Sequence, residues 1–516
     1  MRADGATKPR ILTATEAALL VPDGVTLAVE ASGGGVLEPN ALIEALGARH
    51  AADGTPSGLT VVFCSGIGNR AGSGMDLLAN PALLSRTIAG HYAMSPKLAQ
   101  LAASGEIAAY NLPQGVISQL YREVAAGRPG VITHIGVGTF CDPRFGGGKL
   151  NDLCQDDLVS VVNLQGREWL LYHTIPINVA FIRGTTADEL GNITLEHETA
   201  TLGVLAAAMA AHNSGGIVIA QVERVACQGT LAARSVAVPG HLVDYLVVAP
   251  TQPQTAADGP YNPSLSGELR VPLGGIPSLP LDERKVVARR AYREIRPGST
   301  ANLGVGMADG VGSVAAEEGG LGQICLTVEQ GLSGGIPARG VIFGSVWNPD
   351  SVIDSASQFD FYDGGGLDIA CLGFAEVDCL GNVNSSRVGD VIFGAGGFID
   401  ISQGAHKVVF VGTLTAGGLR TNVADGELHV EREGRVRKFV PAVAQLTFSA
   451  EQARLRGQRV IYVTERAVFE LGPSGVELVE IAPGVDLERD VLGQMDFRPS
   501  IREPLQLMDG SLFLDQ

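Results

Sequence analysis

Residues 324–340, ICLTVEQGLSGGIPARG, place a carboxylate where it could react. A short apolar run rich in β-branched residues ends at Glu329, and Gly331, Gly334, Gly335 and Pro337 follow. Short, apolar and cut off by glycines, the run reads as a buried strand. Glu329 therefore stands where that strand stops. In open α/β sheets ligands collect at the carboxyl ends of the strands. Glycines beside the carboxylate let a ligand approach the main chain closely. Glu329 is the first candidate for a reacting group.

Two neighbouring motifs suggest other chemistry, and both fit poorly. Gly331-Leu332-Ser333-Gly334-Gly335 matches the G-x-S-x-G elbow, which needs a helix right after its serine. Pro337 and Gly340 follow too soon for one. Gly304-Val305-Gly306-Met307-Ala308-Asp309-Gly310, with Glu329 lying 23 residues after Gly306, looks like a dinucleotide fingerprint. Its last glycine is one place late, and that reading leaves the glycines after Glu329 unexplained. The nine histidines include no H-x-x-x-H pair, and His197 between Glu196 and Glu198 has no partner at ligand spacing, so no metal site is expected. The pairs Asp188-Glu189 and Glu317-Glu318 read as solvated charges.

The elements that must position Glu329 follow an alternating pattern. In the first half, strands are predicted at 25–30 and 59–64, with Ser32-Gly33-Gly34-Gly35 and Ser65-Gly66-Ile67-Gly68 after them and a helix at about 39–48. Further apolar runs at 131–137, 179–182 and 217–222 alternate with helical patterns, the mark of a doubly wound, mostly parallel sheet. The pattern breaks at VPLGGIPSLP (271–280), and a charged helix is predicted at 282–295. This sets two domains, 1–280 and 281–516. After the break the opening repeats weakly, and Cys64 falls at the position of Glu329. Two related open α/β units, with the site in the cleft between them, would explain that order.

Composition limits the remaining classes. The 516 residues are 45% hydrophobic and 5% aromatic, with 68 glycines, which favours an α/β enzyme of many tight turns. A net charge of −18 argues against nucleic acid as a partner, though not against an anionic small ligand. Seven scattered cysteines without a CxxC pair point to a reduced, cytoplasmic protein. The opening MRADGATKPR has no apolar core and is not read as a signal peptide. Residues 199–222 read as helix, turn and strand, so no membrane span is expected.

Eleven stretches in order carry a family resemblance along nearly the whole chain. They are PNALIEAL (39–46), NLPQG (111–115), GVGTFCDPR with GGKLN (136–151), FIRGTTADELGNIT (181–194), YNPSLSGE (261–268), TVEQGLSGGIPA (327–338), SQFDFYDGGGLD (357–368), GNVNSSR (381–387), GAGGFIDISQ (394–403), YVTERAVFEL (462–471) and EIAPGVDLERDVL (480–492). The chain resembles the class I CoA-transferases, in particular the single-chain acetate/propionate type that fuses two subunit-like halves. The resemblance implies transfer of CoA from an acyl-CoA to a free carboxylic acid, whether acetate, propionate, another short-chain acid or a 3-oxo acid.

By resemblance, Glu329 forms a glutamyl–CoA thioester in a ping-pong cycle. That role needs an ionised carboxylate, so a strongly raised pKa would be a disadvantage. By the same resemblance Gly304, Val305 and Gly306 face the glutamyl carbonyl, and Asn384, Gly394, Gly396 and Gly397 face the acyl-CoA. Gln114, Gly136, Val137 and Gly138 line the acyl pocket. The ordinary alternative for each of these loops is a βα turn. Leu332-Ser333 stands where many relatives have Pro-Ile, which predicts a more mobile loop beside the nucleophile. Acyl-CoA and small acids are the expected ligands, with no metal and no nucleotide cofactor, and a homo-oligomer is expected by resemblance only. A thioester hydrolase on the same fold is the alternative enzyme. A regulatory CoA-binding protein is a third reading, which the presence of Glu329 disfavours.

Overall fold

The computed structural model describes residues 8–257, 259–272 and 278–515. The start of the N-terminal stretch and half of the 271–280 break lie outside the described residues. Two ten-stranded sheets dominate, one from each half of the chain. In the first, eight strands run parallel in the order Arg10–Leu12, Tyr245–Val248, Ile217–Ala226, Val179–Asp188, Thr26–Val29, Leu59–Phe63, Leu84–Ala89 and Ala108–Asn111. Alternate residues face opposite cores, as a strand's two-residue period requires. Leu27, Val29, Val61 and Phe63 pack on one side with Leu42 and Leu46 of helix Asn40–Asp53. Ala28, Val62, Ala180 and Ile182 pack on the other with helices Gln114–Ala125 and Val204–Asn213. The sheet is covered on both faces, so its strands read as continuous apolar runs.

The second sheet has the same centre. Cys325–Val328, Thr300–Leu303, Ile369–Gly373, Lys407–Val411 and Arg459–Val463 run parallel. Leu332–Ser333 and Ser351–Val352 extend it antiparallel on one edge. Ala467–Gly472, Gly475–Ile481 and Ser500–Leu507 extend it on the other. Thr26–Val29 lies between Val179–Asp188 and Leu59–Phe63, just as Thr300–Leu303 lies between Ile369–Gly373 and Cys325–Val328. Cys64 and Glu329 thus end equivalent strands.

One turn is repeated atom for atom in the two halves. Asp188 Oδ1 accepts the N–H groups of Leu190 and Asn192, both at 2.9 Å, and its Oδ2 accepts Asn192 Nδ2. Asp378 does the same for Leu380 and Asn382, at 3.0 Å each. Asn192 Oδ1 then accepts from Gly240 N, and Asn382 Oδ1 from Ala450 N. Asp188 is buried and structural rather than solvated. Glu198 is also buried, in an ion pair with Arg183 at 3.0 Å.

The run at 131–137 departs from expectation. Gly130–Thr133 joins Arg167–His173 and Val159–Leu164 in a separate three-stranded antiparallel sheet, outside the main one. A short apolar run carries no information about the direction of its partner.

Candidate active site

Glu329 sits at the tip of a tight reversal. Gly331 takes φ +98°, its N–H bonds Val328 O at 3.0 Å, and Leu332 pairs back with Val328. Leu332-Ser333 is therefore a paired strand, not a mobile loop. Among the described residues the carboxylate has no cation beside it. Gln330 Nε2 approaches Oε1 at 3.4 Å, and the Gln114 side chain also reaches it. Protein surrounds the carboxylate on almost every side, though the residue stays partly open to solvent. This burial raises its pKa to about 7, the two neutral amides opposing only weakly. That shift runs against the ionised form that the resemblance asks of Glu329.

The GAGG turn closes over Glu329. A Cβ on Gly397 would collide with Glu329 Oε2, so only glycine lets the main chain come this near. The Gly397 N–H makes no hydrogen bond among the described residues. The turn is anchored across the cleft: Gly396 N donates to Gly90 O at 2.7 Å, Ala395 N to Asn111 Oδ1 at 2.9 Å, and Gln114 N to Gly396 O at 2.9 Å. Gln114 and Gly397 are thus brought to Glu329, and Gly394 and Gly396 belong to the turn that carries Gly397. Gln114 Oε1 is buried without a partner.

The other predicted residues lie in different settings. Gly304-Val305-Gly306 follows the strand next to that of Glu329. Gly304 N is used by Cys371 O at 2.9 Å, while the N–H groups of Val305 and Gly306 are free among the described residues. The Asn384 side chain is spent within its own turn, donating to Glu376 and Arg387 O and accepting from the N–H groups of Ser386 and Arg387. Gly136-Val137-Gly138 packs at the far end of helix Phe398–Gly404, about 9 Å along the axis from Gly397. Its three N–H groups are taken by Gln403, His134 and Asp142.

Sequence reasoning missed the residues that complete the N-terminal wall. Gln330 Nε2 donates to Ser32 Oγ at 3.0 Å, and Ser32 Oγ bonds Ser65 Oγ at 3.1 Å. Gln330 and Ser65 directly follow Glu329 and Cys64, so the two equivalent strand ends meet across the cleft. The signal was present in the glycine-rich loops at 32–35 and 65–68. His91, also in this wall, had no signal. Among the described residues no group of three or more His, Cys, Asp or Glu could hold a metal ion, and no helix is long and apolar enough to cross a membrane.

Comparison with known proteins matches residues 11–249 to the coenzyme A transferase family model. The acetate CoA-transferase YdiF of Escherichia coli O157:H7 is 47% identical over 505 residues, covering 98% of this chain and 95% of that one. The caffeate CoA-transferase of Acetobacterium woodii is 44% identical over 515 residues, 98% of each chain. The solved structure of the YdiF acyl-CoA transferase apoenzyme superposes with a TM-score of 0.95 at 46% identity, over 99% of this chain and 97% of that one. Its thioester complex with CoA gives 0.94 at the same identity and coverage.

Proposed function

Because this chain belongs to the coenzyme A transferase family, and is a CoA-transferase, we propose that it moves CoA between small carboxylic acids through a covalent thioester on Glu329. The carrying observation is the carboxylate itself, sunk at a strand end against the Gly397 main chain. A Glu329 oxygen attacks the thioester carbonyl, the C–S bond breaks, and CoA thiolate leaves a mixed anhydride. The thiolate attacks the glutamyl carbon, the anhydride C–O bond breaks, and the donor acid departs as its carboxylate. The acceptor acid runs the same steps in reverse. The cycle as written moves no net proton and needs no metal or nucleotide.

Each attack builds an oxyanion, and the free N–H groups of Gly397, Val305 and Gly306 are the donors at hand. One such donor is typically worth about 100–1000-fold in rate. A relative solved as a thioester complex with CoA supports the covalent step. The relatives named for acetate and caffeate leave acyl size open, and short-chain acids are our reading. With it go domains at 1–280 and 281–516, a cleft site between them, a cytoplasmic setting and a homo-oligomer.

Intact-protein mass after mixing with acetyl-CoA and no acceptor tests the nucleophile. A CoA-sized gain on the native chain, lost on adding acetate and absent in Glu329→Gln, is expected. Steady hydrolysis without an adduct, surviving the substitution, would mean the hydrolase instead.

A further inference from the structure

The cleft holds an imidazole that the thioester cycle leaves without a task. His91 follows Gly90, whose carbonyl accepts both Gly396 N–H at 2.7 Å and Asn111 Nδ2 at 2.6 Å. It is therefore pinned beside the turn whose next residue, Gly397, abuts Glu329. Its ring is gripped between two glycines. Cδ2 lies 3.6 Å from where a Cβ on Gly396 would stand, and Nδ1 lies 2.7 Å from the corresponding point on Gly66. The tip carrying Nε2 is the edge left over. Like Glu329, His91 is largely enclosed by protein yet keeps partial access to solvent.

Among the described residues the ring makes no hydrogen bond, ion pair or ring contact. The ring nitrogens are not among the buried atoms left without a partner, so solvent reaches them and a ligand could take its place. Burial, helped by the charge of Arg70, pushes its pKa down to about 4, so the ring is neutral at physiological pH. A neutral imidazole offers one N–H and one acceptor nitrogen. General-base duty does not fit, because no step of the cycle removes a proton.

We propose that His91 contacts the substrate, its ring N–H donating to a carboxylate oxygen of the free acid and to the same oxygen when it is the acyl-CoA carbonyl. The contact aligns the acyl carbon with Glu329, while the main-chain N–H groups hold the developing charge. Arg70, which forms no ion pair among the described residues, adds a positive potential that suits an anionic acid. The inference rests on the function proposed above.

The test compares the native chain with His91→Leu and His91→Gln in steady-state transfer from acetyl-CoA to a second acid, alongside adduct formation. His91→Leu should raise KM for the acceptor acid about tenfold, the usual scale of a lost hydrogen bond of this kind. His91→Gln, which keeps a donor at similar reach, should recover most of that loss. Should His91→Leu not fold, His91→Met, of similar volume and also without a donor, replaces it. Unchanged acceptor KM in the donor-free variant, or equal loss in His91→Gln, overturns the inference while native adduct formation leaves Glu329 in place. If the native chain forms no adduct, the proposed function itself fails.

Discussion

A buried carboxylate without a counter-ion titrates late, and among the described residues Glu329 has no cation beside it: its company is the amides of Gln330 and Gln114, one main-chain turn, and the buried Asp400 and Tyr362. Burial penalises the charged form, so lowering the pH through about 7 protonates Glu329 and removes the attacking oxygen pair. For the free protein, kcat/KM for acyl-CoA should fall about tenfold per pH unit below that point. A profile measured from pH 5.5 to 8.5 checks it, and a flat profile would mean that a cation not accounted for faces the carboxylate. The place of Glu329 at a strand end among glycines was legible, because an apolar run stopped by glycines needs only local information. Its pKa was not, since that depends on Gln114 and Gly397, brought to it from distant parts of the chain. His91 was illegible for the same reason: nothing beside it in the chain marks a cleft.

The two matched turns make the strongest case at the level of elements. In each, one aspartate holds two N–H groups and a side-chain amide, and the asparagine passes the restraint on to a neighbouring segment. Asp188→Ala and Asp378→Ala should each cost about 1–3 kcal/mol, the penalty for leaving buried donors without acceptors. Denaturant midpoints measure this, and the two losses should be similar in size. Indifference to either change would show that water or the opposite loop replaces the carboxylate. The repeat D-x-L-G-N was readable in DELGNI and DCLGNV, yet charge alone made Asp188 look solvated. A solvated carboxylate and one folded over its own backbone differ only in what surrounds them. The strand at 130–133 shows the same limit, its apolar run being silent about its partner. The 136–138 turn shows it too, nothing in its glycines marking the hydrogen bonds it makes with Gln403 at a helix end.

Across the whole molecule, the halves share material as well as a cleft. Val328, Leu332, Val346, Ala395 and Ile399 of the second half belong to one apolar cluster with Val116, Ile117 and Ala180 of the first. Arg122 adds ion pairs to Asp354 at 2.6 Å and Asp360 at 2.7 Å, although these half-exposed pairs are worth no more than about 1 kcal/mol each. With the core continuous behind Glu329, calorimetry should show one thermal transition, the calorimetric and van't Hoff enthalpies agreeing. Two resolved transitions would mean that the shared cluster couples the halves too weakly to unfold them together. The two-sheet plan was legible from alternating strands and helices, whereas this shared cluster was not, because it joins residues hundreds of positions apart. Both walls of the cleft also belong to a single polypeptide, which holds them at an effective concentration on the order of millimolar. Meeting of the walls is then a first-order event, which dilution cannot reverse and which no mismatch in the supply of two separate polypeptides can leave half made.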